Sequence, residues 1–462
     1  MIKLYNSLTK SKETLRPIKK GEVGVYSCGP TVYDHVHVGN LRSFITADTL
    51  VRVLRETEDL KVKWVVNITD VDDKMIARAG KEQTSEKPQH ALAKLADKYT
   101  DIFIDDIEAV GIRRADITKL PRATDHIADM QTIIRHLLED DIAYEVDGNI
   151  YFSLEKYQKS GRKYGVLTNV HFDAQARVID DQDQKEGVGD FALWKAAKAG
   201  EPAWDFELDG KNLSGRPGWH IECSAMSSQY LGLPFDIHTG GIDLKFPHHE
   251  NEIAQSGGKL AKMFVHNEHL TINQEKMSKS LGNIKKIGDI KDPLAFRLMC
   301  LAAHYRSHMD FSVTGLEAAY NRLQVLRDLA SKNQYAQAAG LTRKDNDKLH
   351  QFKDSFVAAL EDDLNTPQAL ASLAELEAEP LLGGLAEVLD WADQVLALEL
   401  VQPIELFSKD EIKLQHERSQ ARQQKDFGRS DALRDKLLKS GIESEDLRDT
   451  TLYWRSSKKV VR

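Results

Sequence analysis

The chain has 462 residues, a net charge of −9 and 29% charged residues, a composition typical of an ordinary soluble protein. This length is enough for about three or four domains with several cores. The acidic balance argues against indiscriminate nucleic-acid binding, so an RNA partner would need a local basic surface. No apolar run approaches the ~20 residues that cross a bilayer, and no signal-peptide pattern begins the chain, so no membrane partner is expected. Three scattered cysteines predict no disulfide framework, which makes a reducing cytoplasm the expected location.

The first recognisable unit is a β-α-β pattern near the amino terminus. Residues 23–27 alternate in a way typical of a buried strand, which a Gly-Pro pair ends. From His35 onward apolar residues recur at helical spacing, with Asp34 as the predicted N-cap, and a second apolar run at 62–68 closes the unit. The turn between strand and helix is expected to bind an anion, because unpaired backbone N–H groups and the helix dipole favour phosphate there.

The predicted turn contains His37, Gly39 and Asn40. A histidine at a helix N-terminus can donate to phosphate oxygens, and Gly39 lets a nucleotide lie close to the backbone. Taken alone, residues 37–40 also fit an ordinary turn between a strand and a helix, with a solvent-facing histidine. A second motif, KMSKS at residues 276–280, places Lys276 and Lys279 around small hydroxyl residues. Such a loop could neutralise a triphosphate, although a single lysine there would more simply be solvated. The two motifs in this order are more specific than either one.

The middle of the chain changes from helical to strand-like patterns. Residues 74–115 have helical periodicity, and residues 143–146 and 149–152 form a predicted β-hairpin. The hairpin and the polar stretch that follows it, to about residue 201, indicate an insertion that splits a sheet domain. Strand patterns return further on, at 235–238 and 263–267.

A helix is predicted to begin near His248, where the preceding proline suits a first helical turn. From Pro293 the pattern becomes helical, with a break at residues 365–367, and this indicates a helical bundle. The segment from residue 407 onward is more basic. Arg429 and Arg434 are predicted on helices, and an aromatic and basic pair, Trp454 and Arg455, lies near the end of the chain.

Basic side chains beside exposed aromatic rings suit RNA, because they combine phosphate contact with stacking on unpaired bases. A solvated helical face with a disordered basic tail fits the same composition about equally well.

Four residues form a candidate metal site. His248 and Glu252 are four positions apart, so on a helix they share one face. Cys28 ends the first strand, and Cys223 lies where the second half of the sheet begins. One imidazole, one carboxylate and two thiolates make a plausible tetrahedral zinc set. The alternative is that the cysteines are buried core thiols, the reading we adopt for Cys300.

The two phosphate motifs resemble the HIGH and KMSKS signatures of class I aminoacyl-tRNA synthetases. Residues 67–74, 215–226 and 246–256 resemble cysteinyl-tRNA synthetases in particular, and the resemblance covers nearly the whole chain. One departure is Asn40, where the signature ends in histidine. Asparagine can still donate a hydrogen bond to phosphate but carries no charge, so ATP binding is expected to survive with an altered rate.

The resemblance implies an α/β fold: a Rossmann-like class I catalytic domain with a connective insertion, a helical bundle and a small anticodon-binding domain. The catalytic domain is expected in two halves, 1–115 and 206–265, separated by the connective-peptide insertion at 116–205. The remaining segments are expected to be a stem-contact region with the KMSKS loop at 266–315, the helical bundle at 316–406 and the anticodon-binding domain at 407–462.

The resemblance also implies an activity and its residues. Cysteine would be activated by ATP to cysteinyl-adenylate, with release of pyrophosphate, and transferred to the 3′-terminal adenosine of tRNA(Cys). The implied ATP contacts are His37, Gly39, Asn40, Lys276 and Lys279, with Mg²⁺ accompanying ATP. The implied amino-acid and adenylate pocket is Gly29, Thr31, Thr69, Trp219, His238 and Asp243. The implied ligands of one Zn²⁺ are Cys28, Cys223, His248 and Glu252, and direct coordination of the substrate sulfur is implied with them. Contacts to tRNA are expected from Arg429, Arg434, Trp454 and Arg455, in a monomer.

Other interpretations remain open at this stage. From the residues alone, Trp219 could be a core aromatic and Asp243 a helix cap. A related enzyme could activate cysteine and transfer it to an amino-sugar, although such a small acceptor would need no basic C-terminal domain. A catalytically silent RNA-binding paralogue is motivated only by Asn40.

Overall fold

The computed structural model describes residues 1–82, 87–168, 187, 189–276, 285–378, 381–448 and 450–456, with only the backbone at residue 276. The chain divides into two compact units, one comprising Met1–Lys291 and Tyr305–Asp310 and the other Asp292–His304 and Phe311–Arg462. This division into two units does not test the boundaries of the six segments expected from the resemblance, which stay predictions. Among the residues described, no helix has the length and apolar character needed to cross a membrane.

The first unit contains most of the strands. They are β1 Lys3–Asn6, β2 Ser11–Thr14, β3 Glu22–Ser27, β4 Lys61–Val66, β5 Ala143–Val146, β6 Asn149–Phe152, β7 Phe191–Ala196, β8 Glu207–Leu208, β9 Lys211–Asn212, β10 Gly215–Pro217, β11 Phe235–Gly241, β12 Ala261–Asn267, β13 Leu270–Ile272 and β14 Glu275–Lys276. Its α-helices are α1 Val38–Glu56, α2 Asp73–Glu82, α3 Pro88–Ala109, α4 Ile127–Glu139, α5 Leu154–Lys159, α6 Trp219–Leu231 and α7 His248–Gln255.

A parallel four-stranded sheet in the order β12-β11-β3-β4 forms the centre of this unit. Val23, Val25 and Tyr26 of β3 are fully buried, and α1 and α6 both pack against the sheet. The alternation in β3 and the apolar run in β4 were recognisable because both strands are mostly buried within this sheet. The order also places the carboxyl ends of β3 and β11 side by side, and ligands of open α/β sheets bind at such ends.

The start of α1 differs from the prediction. The N-cap is His37 rather than Asp34. The Asp34 side chain instead accepts a hydrogen bond from the N–H of its neighbour His35 at 2.9 Å. The chain continues as a loop up to His37, and the helix begins at Val38. At the helix start, Asn40 N–H donates to His37 Nδ1 at 3.2 Å and His37 N–H donates to Asn40 Oδ1 at 3.3 Å. This reciprocal capping box satisfies donors that a helix end otherwise leaves unpaired.

The predicted hairpin is confirmed as β5 and β6, which belong to an antiparallel sheet in the order β10-β7-β6-β5. Its turn residues Asp147 and Gly148 have φ of 49° and 80°, as a two-residue turn of type I′ requires. A smaller sheet has the order β14-β13-β15, where β15 is Met309–Phe311.

The second unit is mostly helical. Its elements are α8 Pro293–Leu301, α9 Val313–Ala338, α10 Asn346–Glu361, α11 Thr366–Glu377, α12 Leu385–Leu396, α13 Lys409–Gln423, α14 Phe427–Lys439, β16 Ile442–Asp446 and β17 Thr451–Arg455. The predicted break is confirmed: Asn365 is the N-cap of α11, where its side chain accepts from the N–H of Gln368. Cys300 is buried on α8, as expected of a core thiol.

The expectation of an exposed aromatic near the end of the chain is wrong for Trp454. This side chain is 6% exposed, packs with Tyr335 and Leu452, and donates from Nε1 to Asp328 at 3.1 Å. Pairing of β16 with β17 turns alternate residues of β17 toward α9, and Trp454 falls on that buried face. Its ring is therefore not available to stack on a base.

An ion pair between the buried Arg418 and the solvent-accessible Asp446 connects α13 to the final hairpin. Arg418 is 1% exposed and donates to both carboxylate oxygens of Asp446, at 2.9 Å each. A bidentate pair of this kind is both stronger and more directional than a single contact.

Replacing Arg418 by methionine should lower the free energy of unfolding by about 1–3 kcal/mol, because Asp446 loses its bidentate donor. Asp446 keeps Arg422 at 2.7 Å, which limits the loss. Urea denaturation of the full chain measures this change. The matched control is Arg434→Met on the exposed face of α14, which should shift stability by less than about 0.5 kcal/mol. Equal shifts in the two variants would contradict the prediction.

Candidate functional site

A pocket of about 590 Å³ opens at the carboxyl ends of β3 and β11. Eight of the residues singled out in the sequence line it: Cys28, Gly29, Thr31, His37, Gly39, Asn40, Trp219 and Asp243. Thr69 and His238 are fully buried and lie outside the lining. The sheet therefore brings the phosphate turn and most of the expected pocket into one cavity.

The loop after β3 is held in place by contacts with Asn67 and Thr69. A Cβ on Gly29 would lie 1.6 Å from the Asn67 carbonyl oxygen, so only glycine fits there, and Gly29 N–H donates to Asn67 Oδ1 at 2.8 Å. Thr69 N–H donates to the Pro30 carbonyl at 3.1 Å. Thr69 thus supports the pocket wall through its backbone, and a direct role in the pocket stays a prediction.

Three of the four candidate metal ligands, Cys28, Cys223 and His248, converge beside this pocket, and Glu252 lies next to His248. Cys28 Sγ lies 3.6 Å from Cys223 Sγ and 3.3 Å from His248 Nε2. A tetrahedral ion with bonds of about 2.3 Å to sulfur and about 2.1 Å to nitrogen would hold two sulfurs ~3.8 Å apart and a nitrogen ~3.6 Å from each sulfur. Glu252 Oε1 lies 2.8 Å from His248 Nε2, at ion-pair distance. The spacing of Cys28, Cys223 and His248 fits a tetrahedral soft metal, with Glu252 beside them as the candidate fourth ligand.

Surrounding side chains orient two of these ligands. His220 Nδ1 lies 2.9 Å from His248 Nδ1, which leaves Nε2 of His248 facing the sulfurs. His238 Nε2 lies 2.7 Å from Glu252 Oε2, so the other carboxylate oxygen is directed to the cluster. Partners of this kind fix the orientation of metal ligands. His238 therefore supports the cluster, whereas the sequence assigned it to the amino-acid pocket.

The pKa values of three of the cluster's side chains are shifted from their ordinary values. Burial raises the pKa of the Cys223 thiol well above its ordinary value, and the adjacent Cys28 raises it further. Burial would raise the pKa of Glu252, but His238 and His248 outweigh that effect and hold it at about 2. Burial would lower the pKa of His248, but Glu252 and Cys223 raise it to about 10. A positive charge beside Cys223 and Glu252 would therefore stabilise their ionised forms. A divalent cation would supply that charge and favour the thiolate of Cys223.

Trp219 forms the wall between this cluster and the pocket. Its ring stacks on His248 with the centroids 4.3 Å apart, and the residue is 40% exposed. The alternative that Trp219 is a core aromatic is therefore wrong.

Comparison with known proteins identifies the family. The model for the class I (C) tRNA synthetase catalytic domain matches residues 14–321, and the DALR domain model matches residues 355–379. A cysteine–tRNA ligase from Geobacillus thermodenitrificans is 40% identical over 483 aligned positions, covering 99% of this chain and 99% of that protein. The chain belongs to the cysteinyl-tRNA synthetase family.

Other relatives agree with this cysteinyl-tRNA synthetase assignment. A cysteine–tRNA ligase from Caldicellulosiruptor saccharolyticus is also 40% identical, over 95% of this chain and 97% of that protein. The solved methionyl-tRNA synthetase of Mycobacterium tuberculosis bound by methionyl-adenylate has a TM-score of 0.56 at 14% identity, covering 82% of this chain and 88% of that one. That likeness shows the fold alone. The expected Rossmann-like class I catalytic domain, followed by a helical region, is confirmed.

The remaining candidate residues fall in different places. Asp243 lies in a short 3-10 helix at the pocket edge, without capping that helix. Lys276 ends β14 with its side chain outside the described residues, and Lys279 lies outside them entirely. Arg429 and Arg434 are exposed on α14, so they could meet RNA.

Unlike Arg429 and Arg434, Arg455 already pairs with acidic side chains, with Glu411 at 2.9 Å and with Glu405 at 3.2 Å. These contacts commit its guanidinium to the protein, so contact with tRNA through Arg455 would have to displace them.

Sequence reasoning missed one wall of the pocket, formed by residues 267–271 together with His308. The signal was available: residues 263–267 were predicted as a strand, and residues just past a parallel strand lie at the ligand edge of the sheet.

Glu250 connects α7, which carries His248 and Glu252, to residues 165–168. It is 1% exposed and accepts four backbone N–H groups: from Gly165 and Val166 on Oε2, both at 3.1 Å, and from Leu167 and Thr168 on Oε1, at 2.5 and 3.0 Å. A carboxylate with so many charge-assisted bonds holds this turn firmly. Because Glu250 lies between His248 and Glu252, the same bonds hold α7 in place.

The substitution Glu250→Gln should speed amide exchange at residues 165–168 by ~10–100-fold, because charge-assisted hydrogen bonds worth about 1.5–3 kcal/mol are weakened. Hydrogen–deuterium exchange read by mass spectrometry checks this. Glu155→Gln, at an exposed position on α5, is the matched control and should leave the exchange unchanged. Unaltered protection in Glu250→Gln would show that other contacts hold the turn.

Proposed function

We propose that this protein activates L-cysteine with ATP and transfers the cysteinyl group to tRNA(Cys). The observation that carries the proposal is the convergence of Cys28, Cys223 and His248, with Glu252 next to His248, beside a pocket that also contains the phosphate turn at His37. The identity of 40% to cysteine–tRNA ligases along nearly the whole chain supports the same activity.

The reaction has two steps. A carboxylate oxygen of cysteine attacks the α-phosphorus of ATP, and the bond to pyrophosphate breaks. A hydroxyl of the terminal adenosine of tRNA then attacks the activated carbonyl carbon, and AMP leaves. No step requires a protein nucleophile, so the protein contributes by positioning the reactants and stabilising charge.

The ATP end of the pocket begins at the phosphate turn. His37 and Asn40 lie at the N-terminus of α1, where the helix dipole favours phosphate oxygens. Gly39 lines the pocket without a side chain and permits close approach of the nucleotide. We assign further charge stabilisation to Lys276 and Lys279, with Mg²⁺ accompanying ATP.

The cysteine end of the pocket lies at the cluster. We propose Zn²⁺ as its metal, held by Cys28, Cys223, His248 and Glu252, because two sulfurs, one imidazole and one carboxylate suit zinc. When bound, zinc supplies a soft Lewis acid that prefers a thiolate to an alcohol. Recognition by size alone would separate cysteine from serine by only about 1–3 kcal/mol. Trp219 closes this end and limits the length of the side chain that enters.

Transfer RNA is the acceptor that the chain supports best. An amino-sugar acceptor would need no DALR domain, yet residues 355–379 match one, and the exposed Arg429 and Arg434 lie beyond it. We propose that residues 407–462 contact the anticodon region, that residues 116–205 are the connective insertion, and that the protein works as a cytoplasmic monomer.

Purified protein with ATP should charge tRNA(Cys) with labelled cysteine, and excess serine should not compete. Acid precipitation of the tRNA onto filters measures the labelled cysteine attached to it. Charging with serine as readily as with cysteine would refute selection by the cluster. If no charging occurs, cysteine-dependent exchange of pyrophosphate into ATP separates a ligase for another acceptor from a silent paralogue.

The change Cys223→Ser should reduce bound zinc from one ion per chain to a small fraction and lower cysteine-dependent exchange by about 100-fold or more, because a sulfur ligand is lost. Atomic emission spectroscopy on protein dialysed against a weak chelator gives the metal content. Cys300→Ser, which alters a buried thiol on α8, should retain the ion. Full zinc occupancy in Cys223→Ser would remove this residue from the ligand set.

A further inference from the structure

The buried guanidinium of Arg42 lies two residues after the phosphate turn at residues 37–40. Arg42 of α1 is 1% exposed and does not line the pocket. Its Nη1 donates to the carbonyl oxygens of Glu268 and His269 at 2.9 and 2.6 Å. Its Nη2 donates to the carbonyl oxygens of Ser307 and Tyr305 at 2.6 and 3.4 Å. One side chain therefore holds four carbonyl groups from two distant segments.

These two segments form one side of the pocket. Residues 267–271 and His308 line it. The segments are also bonded to each other, since Glu268 N–H donates to the Tyr305 carbonyl at 2.8 Å and Met309 N–H donates to the His269 carbonyl at 3.2 Å. Arg42 thus joins the helix that carries the phosphate turn to a wall of the pocket.

The wall leads directly to the lysine motif. It continues into β13, which pairs with β14 in a hairpin, and β14 ends at Lys276. A change in the position of residues 268–269 would therefore displace the base of the hairpin that leads to this lysine.

Only arginine suits this arrangement. Its planar fork presents several N–H donors in fixed directions, so it can reach carbonyl groups on both sides at once. Lysine has a single point charge on a flexible stem and cannot span the same four acceptors.

We propose that Arg42 is a positioning residue that holds residues 267–271 and the base of the lysine hairpin in the geometry that binds ATP. This inference rests on the proposed function. It concerns ATP rather than cysteine, because the wall adjoins the phosphate turn, whereas the cysteine end is built by the metal cluster and Trp219.

The test compares Arg42→Lys with wild type in cysteine-dependent pyrophosphate exchange, with each substrate varied in turn. The KM for ATP should rise ~tenfold or more, while the KM for cysteine should stay within about twofold. Zinc content should be unchanged. A purely structural role would lower the melting temperature without separating the two KM values.

Arg52→Lys is the matched control on the same helix. Arg52 is also buried and donates to Asp48 and to the Gly111 carbonyl, both away from the pocket. This variant should lose similar stability and keep the KM for ATP. Equal KM values for ATP in Arg42→Lys and Arg52→Lys would overturn the inference.

Direct binding separates this inference from the proposed function. Calorimetry with a non-hydrolysable ATP analogue should show ~tenfold weaker binding to Arg42→Lys than to wild type. If wild type binds the analogue but catalyses no cysteine-dependent exchange, the proposed function fails while the role of Arg42 is still decided by the binding ratio. Equal affinity of both proteins for the analogue overturns the role of Arg42 alone.

Discussion

The burial of thiol and carboxyl ligands at the end of a parallel sheet is the constraint on which the site depends. Cys28 and Cys223 are separated by 195 positions in the chain, yet their sulfurs lie 3.6 Å apart. Cys223 and Glu252 are fully buried, and burial penalises the anionic form of each, so a nearby positive charge is needed to ionise them. The neighbouring residues fix the geometry of the cluster: His238 orients the Glu252 carboxylate, and Glu250 anchors the helix that carries it. The phosphate turn then opens from the same sheet edge, so both substrates meet there.

Regular elements of the fold were predictable because periodicity reports burial. The strand and helix at residues 23–54, the hairpin at 143–152 and the helix break at Asn365 all followed from local pattern and turn chemistry. The metal ligands were predictable only in part. His248 and Glu252 share a helix face by spacing, but no spacing links Cys28 to Cys223, and the resemblance to a family supplied that connection.

The features that the sequence did not predict correctly depend on specific contacts that composition and periodicity do not report. Burial of Trp454 depends on which face of a hairpin meets α9, and composition near the chain end contains no such information. The N-cap of α1 depends on a reciprocal pair of hydrogen bonds between His37 and Asn40, whereas residue preference alone favoured Asp34. Arg42 resembled any helical arginine until two loops, joined to it by tertiary structure alone, placed their carbonyl groups around it. Long-range contacts of this kind are not encoded in a local pattern.

The departure of Asn40 from the family signature is compatible with catalysis, and the capping box explains why. The asparagine amide has an acceptor end and a donor end. Oδ1 accepts from His37 N–H, which fixes the start of α1, and the amide nitrogen remains at the exposed pocket edge as a donor suited to a phosphate oxygen. A neutral donor there stabilises growing negative charge less than a cation would, so the substitution bears on rate more than on binding. The one residue that suggested a silent paralogue is therefore consistent with a working ATP site.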